Sequence, residues 1–123
     1  HELILLVEDE DAVRSMARRG LERFGYKILE ARLPGEALQL GEEFAGSIAL
    51  LVTDVVMPEM GGPEMAEKLL KINPSMGVLY MSGYPDEALA HHGVLDAGIS
   101  FLQKPFELTE LACKVRELLE PPR

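Results

Sequence analysis

Ile48-Ala49-Leu50-Leu51-Val52-Thr53-Asp54-Val55-Val56-Met57-Pro58 is the stretch that decides the fold. Its first five residues are a short continuous apolar run, the pattern of a strand covered on both faces. A carboxylate, Asp54, stands where that strand runs out. Two other segments repeat the design. Leu3-Ile4-Leu5-Leu6-Val7 runs into Glu8-Asp9, and Val78-Leu79-Tyr80-Met81 runs into Ser82-Gly83. Tyr26-Lys27-Ile28-Leu29 and Ile99-Ser100-Phe101-Leu102 are weaker strand candidates, and the second leads to Lys104-Pro105-Phe106.

Amphipathic segments lie between the runs. Val13, Met16, Ala17, Gly20 and Phe24 share one helical face. Ala37, Leu38, Gly41 and Phe44 share a second, and Met65, Leu69 and Ile72 a third. The clearest stripe is Leu108, Leu111, Ala112, Val115, Leu118 and Leu119, which recurs with the helical period. Pro34, Pro63 and Pro85 fall in expected first turns, where a missing N–H costs nothing. Pro74 and Pro121 follow expected helix ends. Strand then helix, five times over, predicts an α/β fold with a parallel sheet, right-handed crossovers and helices on both faces. For five strands the expected architecture is a doubly wound sheet of order 2-1-3-4-5. No repeat, low-complexity tract or linker interrupts the 123 residues, so residues 1–123 are read as one domain with one core.

Composition narrows the function. The formal net charge is −9, which argues against direct nucleic-acid binding, since that rests on neutralising phosphates with Lys and Arg. The charge is uneven. Glu8, Asp9, Glu10 and Asp11 are four acids in a row, and Arg14, Arg18, Arg19 and Arg23 follow at helical spacing. The single cysteine, Cys113, allows no internal disulfide, in keeping with a reducing compartment, and is read as inert. No apolar run reaches the ~20 residues of a membrane helix, so no membrane contact is expected of this domain. The chain starts at His1 instead of Met, and the expectation is a domain excised from a longer protein or a tag remnant. His91 and His92 are read as surface residues.

In a 2-1-3-4-5 sheet, ligands bind beyond the carboxyl ends of the strands, near the switch point. Strands 1 and 3 are neighbours there, so Glu8, Asp9 and Asp54 meet. Three crowded carboxylates repel unless a cation is present. Oxygen-only ligands suit a hard ion, Mg²⁺ first. Lys104 contributes a positive charge and Ser82 a hydroxyl. A metal, a lysine and a hydroxyl around one aspartate suit a transferred phosphoryl group, each stabilising a different oxygen. Taken singly, each residue has an ordinary reading: Asp54 as a turn cap, Glu10 and Asp11 as helix-start acids, Lys104 as a surface lysine. The combination at four strand ends is what is specific.

Glu8-Asp9, Asp54-Val55-Val56-Met57-Pro58 with Gly61-Gly62, Met81-Ser82-Gly83-Tyr84 and Lys104-Pro105-Phe106 resemble, in order and spacing, the response-regulator receiver pattern of bacterial two-component signalling. That resemblance spans nearly the whole chain and implies a flavodoxin-like (CheY-like) domain. It implies that Asp54 accepts a phosphoryl group from a phosphohistidine. It makes Asp9, Asp54 and the Val56 backbone carbonyl ligands of Mg²⁺ (or Mn²⁺), with Glu8 acting through water where many members have Asp. Lys104 pairs with the phosphoryl oxygens across a Lys104-Pro105 bond expected to be cis, and Ser82 hydrogen-bonds the group. Phe101 takes the aromatic switch position, and the movement of Ser82 and Phe101 biases two packings of the face made by the fourth helix, fifth strand and fifth helix. The implied partners are a histidine kinase or a histidine phosphotransfer domain, docked with help from Arg14 and Arg18, and homodimers would pair through the switching face. The stretch from Met81 through His91-His92-Gly93-Val94-Leu95 to Phe106 resembles C-terminal receivers of hybrid sensor histidine kinases, which implies a cytoplasmic domain tethered to a sensor.

Competing readings are weaker. A flavin or nucleotide carrier needs a Gly/Ser/Thr-rich loop after strand 1, where this chain has four acids. An aspartyl phosphatase needs a carboxylate two residues after its nucleophile, and that position is Val56, so turnover is not expected. A stand-alone single-domain regulator and a phosphorylation-independent binding module remain as alternatives within the family. Val56 cannot orient a water by hydrogen bonding and Tyr84 shields the phosphoryl group, so slow self-dephosphorylation is expected.

Overall fold

The computed structural model describes residues 2–83 and 100–119. Along the chain these form β1 (Leu3–Val7), α1 (Asp11–Arg23), β2 (Lys27–Ala31), α2 (Pro34–Glu43), β3 (Ile48–Asp54), α3 (Gly62–Ile72), β4 (Gly77–Ser82), β5 (Ser100–Gln103) and α4 (Leu108–Leu119). The last helix is the fifth of the sequence pattern. The expected helix beginning near Pro85 lies outside the described residues, as do Tyr84, His91, His92, Ile99 and Pro121.

All strand pairs are parallel and the order is β2-β1-β3-β4-β5, as the alternating pattern predicts. The central strands alternate their side chains between two cores. Leu5, Val7, Leu51 and Val55 face α2 and α3, joined by Met65, Ala66 and Leu69. Ile4, Leu6, Leu50 and Val52 face α1 and α4, joined by Ala17, Leu21, Leu111 and Val115. Burying both faces is why these strands read as unbroken apolar runs, and each fully buried Leu or Ile contributes roughly 1.5–3 kcal/mol.

Two helix–helix contacts seat a leucine side chain on a glycine. A Cβ on Gly41 would lie 2.3 Å from Leu69 Cδ2, and one on Gly20 would lie 2.6 Å from Leu108 Cδ2. A larger residue at either position would force the leucine to another rotamer between α2 and α3 or between α1 and α4.

One expected face is corrected. Helix α1 buries Ala17, Gly20 and Leu21, whereas Met16 and Phe24 are exposed. Phe24 is the C-cap and has left helical geometry, so it cannot continue the stripe. Leu21 takes its place, and Met16 stands at the rim.

Candidate functional site

The site is built where β1 and β3 end side by side. Val7 pairs with Thr53 in the register of the two strands, so the next residues, Glu8 and Asp54, leave the sheet together. Beyond Asp54 the chain folds back tightly. The Val55 amide donates to the Met81 carbonyl at 3.1 Å and the Gly62 amide donates to the Val55 carbonyl at 2.7 Å. A Cβ on Gly62 would sit 2.1 Å from the Asp54 carbonyl oxygen, so only glycine lets α3 start so close to the end of β3. Within that loop Glu59 takes a positive φ of 71°, in the left-handed region that side chains seldom adopt.

Lys104 reaches in from the far edge. Its amide donates to the Ser82 carbonyl at 2.8 Å, which ties the end of β5 to β4, and the Lys104-Pro105 bond is cis. Its Nζ lies 2.8 Å from Asp54 Oδ1 and forms a close ion pair with Glu8 Oε1. Glu8 Oε2 accepts a hydrogen bond from the Glu10 amide at 3.1 Å. Glu8 is 1% exposed and Asp54 6%, while Asp9 stands in solvent. One carboxylate oxygen each from Glu8, Asp9 and Asp54 lie within 4.8 Å of one another. Together with Val56, Ser82 and Lys104 they line a cleft of about 300 Å³.

The electrostatics follow from this crowding. Burial pushes the Asp54 carboxyl up to about 8, aided by its hydrogen bond and repulsion with Glu8, while Lys104 pulls the other way. Burial opposes ionisation of Glu8 too, but hydrogen bonds with Asp54, Lys104 and the Glu10 amide outweigh it and hold Glu8 below the ordinary carboxylate value. Lys104 loses hydration by burial, yet its two carboxylate partners raise it above the ordinary lysine value. Without a cation the Glu8–Asp54 pair therefore resists full ionisation, even beside a charged lysine.

The donor set fits a hard divalent cation. It offers only oxygens, their spacing allows a shared ion, and such an ion would relieve the repulsion of the crowded carboxylates.

A family model, response regulator receiver domain, matches residues 4–116. The chain belongs to the response regulator receiver family. The receiver is 46% identical over 117 residues to "Sensor kinase CckA" of Brucella abortus (strain 2308), covering 95% of this chain and 12% of that protein. It is 32% identical over 117 residues to "Response regulator receiver protein CpdR" of the same organism, covering 94% of this chain and 95% of that one. Among solved structures it superposes on the receiver domain of the hybrid histidine kinase CckA with a TM-score of 0.83 and 42% identity, covering 96% of this chain and 99% of that one. The chain thus spans about an eighth of one relative and nearly all of another.

Other expected residues fall as follows. Phe101 on β5 pairs in register with Tyr80 and packs, partly buried, against the core under α2 and α3. Arg18 is 38% exposed and lies 3.5 Å from Glu30. Arg14, on the same helix, is turned inward with 15% exposed. Its contacts with the Glu8 carbonyl and with Glu30 had no signal in the sequence. Gly62 was legible only as part of the family pattern. Cys113 is exposed on α4, remote from the acidic cleft. Among the described residues no helix is long and apolar enough to cross a membrane.

Proposed function

We propose that this receiver takes a phosphoryl group from a phosphohistidine onto Asp54. The observation that carries this reading is Lys104 Nζ, 2.8 Å from Asp54 Oδ1, at the mouth of a cleft where three carboxylates converge. An ionised Asp54 oxygen attacks phosphorus in line. The new P–O bond forms as the P–N bond to imidazole breaks, and the imidazole leaves with the electron pair. Asp9, Asp54 and the Val56 carbonyl would hold Mg²⁺ (or Mn²⁺), with Glu8 behind them. The cation would supply positive charge for the developing phosphoryl oxygens. Lys104 moves from its carboxylate partners to a phosphoryl oxygen, and the Ser82 hydroxyl donates to another. Phe101 follows Ser82 and changes the face around β5 and α4, which is also the face through which two copies would pair.

The donor would be a histidine kinase or a histidine phosphotransfer domain, docked on the basic side of α1. Arg18 is the arginine of the expected pair that faces a partner, and Arg14 contributes at the edge. The 46% identity with a sensor kinase supports a place in a hybrid sensor histidine kinase of the bacterial cytoplasm. Near full-length coverage of a single receiver protein supports a second reading, a free-standing regulator. Both assign Asp54 the same chemistry.

The test is incubation with Mg²⁺ and acetyl phosphate, followed by intact mass, with Asp54→Ala as control. The expected result is one added phosphoryl group that needs Mg²⁺ and is absent from the variant. Phosphorylation of both proteins would mean that Asp54 is the wrong residue. Phosphorylation of neither, with the fold intact, would favour a binding module that works without phosphate.

A further inference from the structure

We propose that Arg14 is a positioning residue for the acidic cleft, with Glu30 as its anchor. The inference rests on the metal-assisted reading of Asp54 above. Arg14 sits in the second turn of α1 and points back toward the end of β1. Its Nη1 donates to the Glu8 backbone carbonyl at 2.9 Å. Its Nη2 donates to Asp11 Oδ1 at 2.7 Å, and its Nε lies 3.4 Å from Glu30 Oε1 on β2. One guanidinium therefore joins the end of β1, the start of α1 and the edge strand. A planar fork with fixed donor directions suits this, and a lysine ammonium does not.

The Glu8–Asp9 peptide is what this clamp orients. The Glu8 amide donates to the Ala31 carbonyl of β2 at 3.1 Å, and the Glu8 carbonyl accepts from Arg14. With both sides of Glu8 held, the chain can leave the strand in one direction, and that direction sets where the exposed Asp9 carboxylate points. Glu30 is drawn on by both Arg14 and Arg18, so the anchor is itself fixed to α1. The geometry thus gives Arg14 a task inside the domain, as an outer support for groups that hold a cation.

The sign of the effect separates this role from simple charge. Removing a nearby positive charge should by itself tighten cation binding, whereas losing the clamp should weaken it. Mg²⁺ alone is titrated calorimetrically into the parent, Arg14→Met, Arg14→Lys, Arg23→Met and Asp54→Asn, with circular dichroism as the check on folding. The expected result is about tenfold weaker binding in Arg14→Met. Arg14→Lys, which keeps the charge, should also bind more weakly, and Arg23→Met should equal or exceed the parent. In acetyl phosphate assays the half-saturating Mg²⁺ concentration should rise in both Arg14 variants. Parent-like or tighter binding by both folded Arg14 variants would overturn the inference. A parent that binds Mg²⁺ no better than Asp54→Asn would overturn the proposed function itself, and this inference with it.

Discussion

Metal-free protein should lose stability as pH rises across the neutral range, and replacing Asp54 with Asn should remove that loss. In the folded chain the Asp54 carboxyl is pushed up to about 8 by burial and by Glu8, against an ordinary value of 3.8. Between those values the folded state keeps a proton that the unfolded state has given up. The unfolded-minus-folded proton count is then negative, so stability falls as pH rises. The contribution is complete below the unfolded value and gone above about 8, the reverse of a salt-bridged carboxylate. One linked proton corresponds to about 1.4 kcal/mol per pH unit. Glu8 runs the other way: its lowered value gives stability that is present above 4.5 and lost in acid. Asp54 is therefore isolated between about pH 5.5 and about pH 7.5, where the expected loss is ~2–3 kcal/mol. The assay is urea unfolding in EDTA at three pH values across that window, parent against Asp54→Asn, so that other titrating groups cancel. Saturating Mg²⁺ should flatten the parent's slope, and apparent Mg²⁺ affinity should rise about tenfold per pH unit below about pH 8, because binding releases the shared proton. A parent-minus-variant stability difference that does not move with pH, or that grows as pH rises, would refute the reasoning.

Two further outcomes follow from the loop after Asp54. Gly62→Ala would place a methyl 2.1 Å from the Asp54 carbonyl oxygen, against backbone that cannot swing aside. It should cost roughly 1–3 kcal/mol in urea unfolding and lower the rate of phosphorylation by acetyl phosphate, whereas a parent-like variant in both assays would mean that the loop is looser than drawn. Val56 lines the cleft and offers an attacking water no side-chain hydrogen bond, so Val56→Asn should shorten the phosphoryl lifetime, read as decay of the intact-mass adduct. Equal lifetimes would count against that account of hydrolysis.

The strand order and the meeting of Glu8, Asp9, Asp54 and Lys104 were legible because two local signals compound. Continuous apolar runs mark strands buried on both faces, and the alternation with helices leaves a narrow set of topologies. Once the order is known, the strand ends converge without further information. Helical faces were less legible. In α1 the difference between Met16 and Leu21 turns on where the helix stops, and that stop is signalled by the next residue, Gly25, with its positive φ of 92°, and by nothing in the apolar stripe itself. Glu30 had no signal at all. It lies on an edge strand among ordinary surface charges, and its pairing with Arg14 arises from the lateral register of β2 against β1, in which Leu6 stands opposite Glu30. Contacts that cross between an edge strand and a helix depend on such register, and no periodicity within either segment encodes it.

Charge balance explains why Lys104 is held by two carboxylates at once. With the shared proton in place, the buried pair, the exposed Asp9 and the lysine leave a single net negative charge. A divalent cation that displaced the proton would bring the same set to neutrality. On the proposed reading, conversion of Asp54 to an aspartyl phosphate dianion would then restore one net negative charge. Each state on this proposed path would differ from the next by one unit, so none would leave a large uncompensated charge beside the buried Glu8 and Asp54. A neutral side chain at position 104 would shift every state one unit more negative and penalise the phosphorylated state most, since that state lacks a spare proton to take up. Glu8 adds reach to this scheme. Its two oxygens engage Lys104 and the Glu10 amide at the same time, so it can keep the lysine at the mouth of the cleft while Asp9 stays exposed, the arrangement that the proposed function would use.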